Sequence, residues 1–304
     1  MKKNLLIICL ILICGTQIFA QKKWYVSFNG GYALKMSPQN LYNEELEINF
    51  LNYTRQPESD GGSYRTYEQI TTSLGKGTNF NLSAGYMFNE NFGIDMGFSY
   101  MFGGKTNSKY EYYGKYIVDY DFYNNPIYSN YSEISDNSIS SNMFRINPSL
   151  FFTFGTKTIT PYAKFGLILG MGSITYELTN IDEDEYYNLN EQYFVKLKMN
   201  GGIALGCNAS LGLSYNIGET ITLFSELNLI SMSYAPTKGK IVEYTENGRN
   251  ELHDLTTSEK EFLFVGEYSY STSDNVSDYE PTKMLNYRYP FSNMGFNLGV
   301  RINF

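Results

Sequence analysis

The 304-residue chain has one histidine, one tryptophan, eight prolines and three cysteines. Each scarcity narrows the chemistry. A lone His253 leaves no material for a multi-histidine metal centre and little for His-based acid–base catalysis. Basic residues are the minority, 23 Lys and Arg against 31 Asp and Glu for a net charge of −8. No basic stripe is available to displace counterions from a nucleic acid. Apart from residues 5–13 there is no long apolar run, and a helix needs roughly 20 such residues to cross a bilayer. With 18% charged residues, the chain is no disordered polyelectrolyte either. What it has in quantity is 29 Tyr, 21 Phe and 27 Gly.

The first twenty residues have the form of an address. Lys2 and Lys3 precede the short apolar run 5–13, and small and polar residues lead to Ala20. That is the plan of a secretory signal peptide, with cleavage after Ala20. Ile13 before Cys14 does not suit a lipoprotein start. Cleavage removes Cys9 and Cys14, so Cys207 remains alone and no internal disulfide can form. Residues 1–20 are expected as signal peptide and 21–304 as a single domain.

The rest of the chain alternates with period two, the mark of strands with one apolar face. Phe92, Ile94, Met96, Phe98, Tyr100 and Phe102 make the clearest row; Phe144, Ile146, Pro148, Leu150 and Phe152 make another. Eight strands are predicted near 24–34, 78–88, 91–102, 142–154, 159–172, 200–216, 219–234 and 292–304. Tight turns around Asn89-Glu90, Gly155-Thr156-Lys157 and Ile217-Gly218 alternate with long connections at 35–77, 103–141, 173–199 and 235–291. Structureless connections that long are unusual in a compact soluble domain, but short turns on one side and long loops on the other are regular in outer-membrane barrels. Segments 110–123 and 261–270 also alternate, with charges on their reverse. They predict strand extensions above a membrane, ten spanning strands being the alternative to eight. Pro148 and Pro161 fall inside strands, where bulges are expected to accommodate them.

The polar rows decide which face meets what. They consist of Gly, Asn, Ser and Thr and carry only five charges, Asp95, Arg145, Lys164, Glu226 and Arg301; the apolar rows carry none. A soluble barrel would present many more charges to water. An Arg or Lys facing lipid costs ~2–4 kcal/mol at mid-bilayer, so the apolar rows are expected to face lipid and the five charges the lumen.

On these residues the chain resembles the small outer-membrane β-barrels of the OmpA/OmpX type, the broad outer membrane beta-barrel domain family. The resemblance covers 21–304. It includes a last strand in which Phe296, Leu298, Val300, Ile302 and Phe304 form the apolar row. It implies an all-β fold: a transmembrane antiparallel up-and-down β-barrel of a Gram-negative outer membrane, with short periplasmic turns and long extracellular loops. It also implies that those five terminal residues form an assembly signal read by the outer-membrane assembly machinery, and that outer-membrane lipid is a partner. It implies no single activity.

The long loops hold 27 of the 31 acids and 22 of the 29 tyrosines, with 15 Lys and Arg. Tyrosine offers wide amphipathic contact area at low entropy cost. One reading is a surface that binds an extracellular protein or glycan; the other is that Tyr stabilises extended hairpins. Asp182-Glu183-Asp184-Glu185 lacks the spacing of a calcium loop and reads as solvated loop. No metal, cofactor or catalytic residue is expected. The five lumen charges read either as an ion-paired plug or as the lining of a narrow porin-like channel for ions or small solutes, since glycine leaves space. Phe151, Ile168, Phe224 and Ile230 are candidates to fill it. A non-enzymatic surface barrel is the leading expectation, with a channel, a loop-based hydrolase using His253 and a secreted soluble barrel behind it.

Overall fold

The structure is a computed structural model and describes residues 23–43, 46, 48–58, 62–155, 158–269 and 277–304. The expected signal peptide lies outside the described residues, Thr156 and Lys157 of one turn likewise. The chain is all-β, its described helix being the single turn Thr257–Lys260.

Eight strands pair in one circuit: β1 (Trp24–Lys35), β2 (Gly77–Met87), β3 (Phe92–Gly103), β4 (Pro126–Thr153), β5 (Ile159–Asp184), β6 (Ala204–Ile217), β7 (Ile221–Tyr234) and β8 (Asn293–Asn303). Each pairs antiparallel with its successor, and β8 returns to β1 through Val26↔Ile302 to Leu34↔Met294. The ladders therefore close on themselves as a ring. Six strands are 11 to 14 residues long, about what a tilted strand needs to cross a bilayer. The other two, β4 and β5, have 28 and 26 residues and continue far past the ring.

That overhang changes partners. In β4, residues 142–152 pair with β3, and 126–139 pair with Thr106–Tyr120. In β5, residues 159–170 pair with β6, and 173–184 with Leu189–Asn200. Further strands extend this upper sheet: Leu51–Pro57 and Ser63–Gln69 on one side, Lys238–Glu246, Glu261–Val265 and Thr282–Leu285 on the other. The result is an open wall standing on part of the rim. Of the alternating segments near 110–123 and 261–270, the stretches within Thr106–Tyr120 and Glu261–Val265 belong to the wall and not to the ring, and residue 270 lies outside the described residues.

Two local expectations need correction. The strand expected to begin at 200 begins at Ala204, because Gly201 and Gly202 take φ of +82° and +74° where the chain steps from wall to ring. Neither proline makes a bulge. The β4–β5 ladder skips Asn147 and Pro148, resuming at Ser149↔Gly166 without a shift of register. Pro161 pairs with Leu213 in register. Losing one N–H interrupts a bond but inserts no residue.

The outward face of the ring is uncharged and mostly apolar, including Phe28, Leu82, Phe98, Phe165, Leu211 and Leu298, with Thr78, Ser225 and Ser231 among the few polar positions. At its short-turn end Trp24, Tyr86, Phe88, Phe92 and Phe152 follow one another at centroid separations of 4.8 to 5.5 Å. Near the other rim Phe80, Phe102 and Tyr100 cluster similarly.

Candidate functional site: the interior of the ring and the wall above it

Seen from the short-turn end, the interior is layered. The first layer is aromatic: Tyr25, Phe151, Tyr162 and Phe224 pack together, all buried. The Arg301 guanidinium lies in their midst, 4.7 and 4.6 Å from the Tyr25 and Phe151 ring centres and 5.5 Å from those of Tyr162 and Phe224. Cation–π attraction of this kind is strongest when desolvated. Glycines make room for it. Gly85 faces Tyr25 and Gly212 faces Tyr162, and a Cβ at either would overlap the facing ring. The interior glycines thus hold no open space here; neighbouring rings occupy it.

The second layer is ionic. Lys164 Nζ stands between Asp95 Oδ1 at 3.5 Å and Glu226 Oε2 at 3.6 Å. Each carboxylate takes a tyrosine as well: Tyr25 donates to Asp95 at 2.7 Å, Tyr162 to Glu226 at 3.1 Å. Ser83 donates a further bond to Asp95 at 2.9 Å. All three charged groups are about 5% exposed. A buried ion group is tolerable when its remaining lone pairs are satisfied, and this one is nearly so.

Asn and Ser side chains fill the third layer around Arg145, and with Asp95, Lys164 and Glu226 of the ionic layer they line a cavity of about 30 Å³. Arg145 Nε donates to Ser99 at 3.2 Å. The fourth layer is an apolar core in which Ile168, Ile230, Met101 and Met143 meet Leu41, Ile48, Phe50, Leu74 and Phe291. Leu41 to Leu74 come from the first long connection, which folds inward over the mouth. Leu74 is fixed there by backbone bonding to Pro290 at 2.8 Å and by Ser141, which donates to its carbonyl at 2.7 Å.

All five interior charges therefore point inward, but they do not make one ion-paired plug. Asp95, Lys164 and Glu226 come together; Arg301 sits among rings and Arg145 among neutral groups. Phe151 and Phe224 occupy the lower layer, Ile168 and Ile230 the upper one. Tyr25, Tyr162 and Ser83 were not singled out in the sequence. The available signal was their place on polar rows, two residues from Ser27, Lys164 and Asn81 respectively, opposite glycines.

The wall carries the tyrosines. Tyr53 stacks on Tyr110 at 4.9 Å, Arg55 lies 4.5 Å over Tyr112, and Tyr131 donates to Tyr112 at 3.1 Å. Others point to solvent, among them Tyr64, Tyr67, Tyr123 and Tyr187. Both readings of tyrosine thus have residues to their name. Lys105 at 2.8 Å and Lys196 at 3.0 Å hold the Glu177 carboxyl far below the usual range, at about 2. Asp182, Glu183 and Asp184 follow one another along β5. Successive side chains take opposite faces of a strand, so these three cannot converge on one cation. His253 lies in an exposed group with Glu251 and Asp254. Cys207 is exposed on the outward apolar row, and so are Phe296, Leu298, Val300, Ile302 and Phe304.

No protein-family model matches the chain, and no curated protein does. Among solved structures it is similar to Neisserial surface protein A, with 12% identity over 92% of this chain and 97% of that one, at a TM-score of 0.38. It is also similar to Ail, the attachment invasion locus protein of Yersinia pestis, with 10% identity over 93% and 99% of the two chains at a TM-score of 0.31. Ail in complex with the heparin analogue sucrose octasulfate gives 11%, 93%, 99% and 0.29. Superpositions this loose leave any functional reading to the chain's own ladders and side chains.

Proposed function

We propose that the protein is a non-conducting, non-enzymatic surface barrel of a Gram-negative outer membrane, exported by a signal peptide and working through its wall. Eight strands span the membrane, the short turns face the periplasm and the wall stands outside the cell. The closed circuit of ladders supports this reading, since only structures that satisfy every backbone group internally can span lipid. So do the uncharged outward rows between two aromatic clusters, which fit an apolar band flanked by aromatic girdles. Lipid covers that band, and the assembly machinery reads the terminal row from Phe296 to Phe304.

One observation carries the choice of wall over lumen: the interior is filled at both ends. Aromatic rings close the lower layer and the inward-folded first connection closes the upper one. The wall has instead the residues of a recognition surface, exposed tyrosines among many acids. An extracellular protein or glycan with basic groups is the complementary partner.

Two measurements test this. Single-channel recording of the inserted protein should stay silent; stepwise openings altered by Arg145→Ala or Glu226→Ala would instead make it a porin-like channel. Binding of nanodisc-embedded protein to arrays of secreted proteins and glycans should yield a ligand that weakens with salt. Replacing residues 107–138 by a short turn should abolish that binding while the ring still inserts. Binding that survives the replacement would refute the role of the wall.

A further inference from the structure

The two faces of the wall treat their acids differently. On one face Glu177 lies between Lys105 and Lys196. The other face continues the inward row of β4 upward, from Ile139 through Asn137 and Ser135 to Glu133. There Glu133 stands directly opposite Asp182, and Asp182 directly opposite Glu191 on the next strand. Like charges placed opposite one another across a ladder are destabilising. Among the described residues none of the three forms an ion pair. Asp182 accepts only from the Asn180 amide, at 2.9 Å. Loss of surrounding water first, and the Asp182 charge second, raise the Glu133 pKa above its ordinary value. Arg55 is committed elsewhere, to the Tyr112 ring at 4.5 Å and the Tyr113 carbonyl at 3.1 Å.

On the same face is a groove of about 580 Å³ whose one charged lining residue is Glu133, a size usual for ligand sites. At its lower end Leu178 rests on the apolar layer that closes the ring, and Leu51 lines it as well. Tyr67, Tyr53 and Tyr110 form a bank beside them, with ring centres 5.1 and 4.9 Å apart. Tyr53 is on the middle strand and has a ring on either side. The bank therefore presents ring edges and hydroxyl oxygens, with little open face for a sugar ring to stack on. What fits the groove has an apolar stem for the leucines and rings and a cation for Glu133. Long basic side chains have that form. Arginine suits it better than lysine, because its planar fork spans acceptors on neighbouring strands and tolerates aromatic contact. Arg55 over Tyr112 shows the same wall already holding a guanidinium against a tyrosine.

We propose that this groove receives an arginine side chain of an extracellular partner protein. Its stem lies along Leu51, Leu178 and the tyrosine bank, and its guanidinium meets the Glu133 and Asp182 carboxylates. The inference rests on the wall being the outward working surface, and it adds where the partner's basic group docks and that the partner is a protein. The incoming cation supplies the counter-charge that lysines provide on the opposite face and that this face lacks.

The test uses the full protein in phosphatidylcholine nanodiscs, whose lipid has no net charge, and a capped fluorescent Gly-Arg-Gly-Arg-Gly peptide followed by anisotropy. The peptide should bind saturably and more tightly than its lysine counterpart of equal charge. Glu133→Gln should weaken binding about tenfold, and Asp182→Asn should weaken it in the same direction. Glu183→Gln removes the same charge one residue away on the opposite face and should leave binding unchanged. No saturable binding, equal binding of the lysine peptide, tighter binding of a chitosan oligosaccharide, or an equal loss in Glu183→Gln would each overturn the proposal. None of these results touches the broader role of the wall, which falls only if replacing residues 107–138 leaves ligand binding intact.

Discussion

Strands β4 and β5 pass through two surroundings without a break in their backbone. In the ring, Phe144, Ile146, Pro148, Leu150 and Phe152 form an apolar outward row, and the inward row places Arg145, its one charge, with Asn147 and Ser149 between Met143 and Phe151. In the wall, residues 126–139 of the same strand place Tyr128, Tyr131, Glu133 and Asp136 among serines and asparagines on both faces. The ladders are antiparallel in both regions. Charge is handled differently as well. Lys164 sits buried between two carboxylates, whereas Lys105 and Lys196 flank Glu177 in partly exposed positions. Hydrogen bonding makes the strand; side-chain alternation records the medium around it. The energetic consequence is that similar substitutions should differ severalfold in cost between ring and wall.

The largest difference is expected at the ionic layer. Lys164→Met leaves Asp95 and Glu226 buried and facing each other without their cation, which should cost about 3–5 kcal/mol. Lys196→Met removes one of two partners from Glu177 in the wall and should cost under ~1 kcal/mol. Urea unfolding of the refolded protein measures both. Equal costs would mean that the interior is as wet as the wall. Next comes the outward face: Leu211, 67% exposed at mid-strand in β6, faces lipid in the proposed orientation. Leu211→Arg should cost ~2–4 kcal/mol in a bilayer, and Tyr128→Arg in the wall should stay within about 0.5 kcal/mol. If Leu211→Arg is also neutral in lipid vesicles, the outward row does not meet lipid. Gly212→Val comes third, since its added carbons enter the Tyr162 ring and overpacking typically costs about 1–3 kcal/mol. Gly248→Ala should cost less, because Gly248 sits in a wall turn with nothing near its Cβ position. It pays only for a φ of +76°.

These contrasts follow closely what alternation could disclose. The rows that place Phe92 to Phe102 outward and Asp95 inward are a local property, readable wherever period two holds. The inward direction of Arg145, Lys164, Glu226 and Arg301 came from the same local rule. Pairing between distant segments is not local, so the exchange of partners along β4 and β5 had no such signal. Nor did the inward fold of the first connection, where Leu41, Ile48 and Phe50 stand among acids with no regular period. Their apolar character was visible, but in a stretch that also holds Glu44, Glu45 and Glu47 it does not announce a plug. Glycine misled for a third reason: at Gly85 and Gly212 the missing side chain is answered by a ring from the neighbouring strand. Whether Arg145 has a partner depends on reach across the lumen, which no strand pattern encodes.

The smallest effect separates the two regions by pH. Glu177 has its pKa held at about 2, against an ordinary value of 4.5, first by hydrogen bonding to Lys105 and then to Lys196. A carboxyl with a lowered pKa in the folded state contributes stability while it is ionised in both states, hence above about pH 4.5, and loses that contribution as pH falls toward about 2. Its side chain is 25% exposed, so screening limits the contribution to at most about 1 kcal/mol. The loss should be confined to the wall, because Glu177 joins Lys105 before Thr106–Tyr120 to Lys196 in Leu189–Asn200 and touches nothing in the lumen. Hydrogen exchange checks this. At about pH 6 the amides of Leu189–Asn200 should be better protected in the unaltered protein than in Glu177→Gln, and near pH 2 the two should converge. A difference that persists at the low end would mean that Glu177 supports the wall through packing and not through its charge. A difference of equal size in β1 and β2 would mean that ring and wall open together, and the two regions would then be one cooperative unit despite their unlike surfaces.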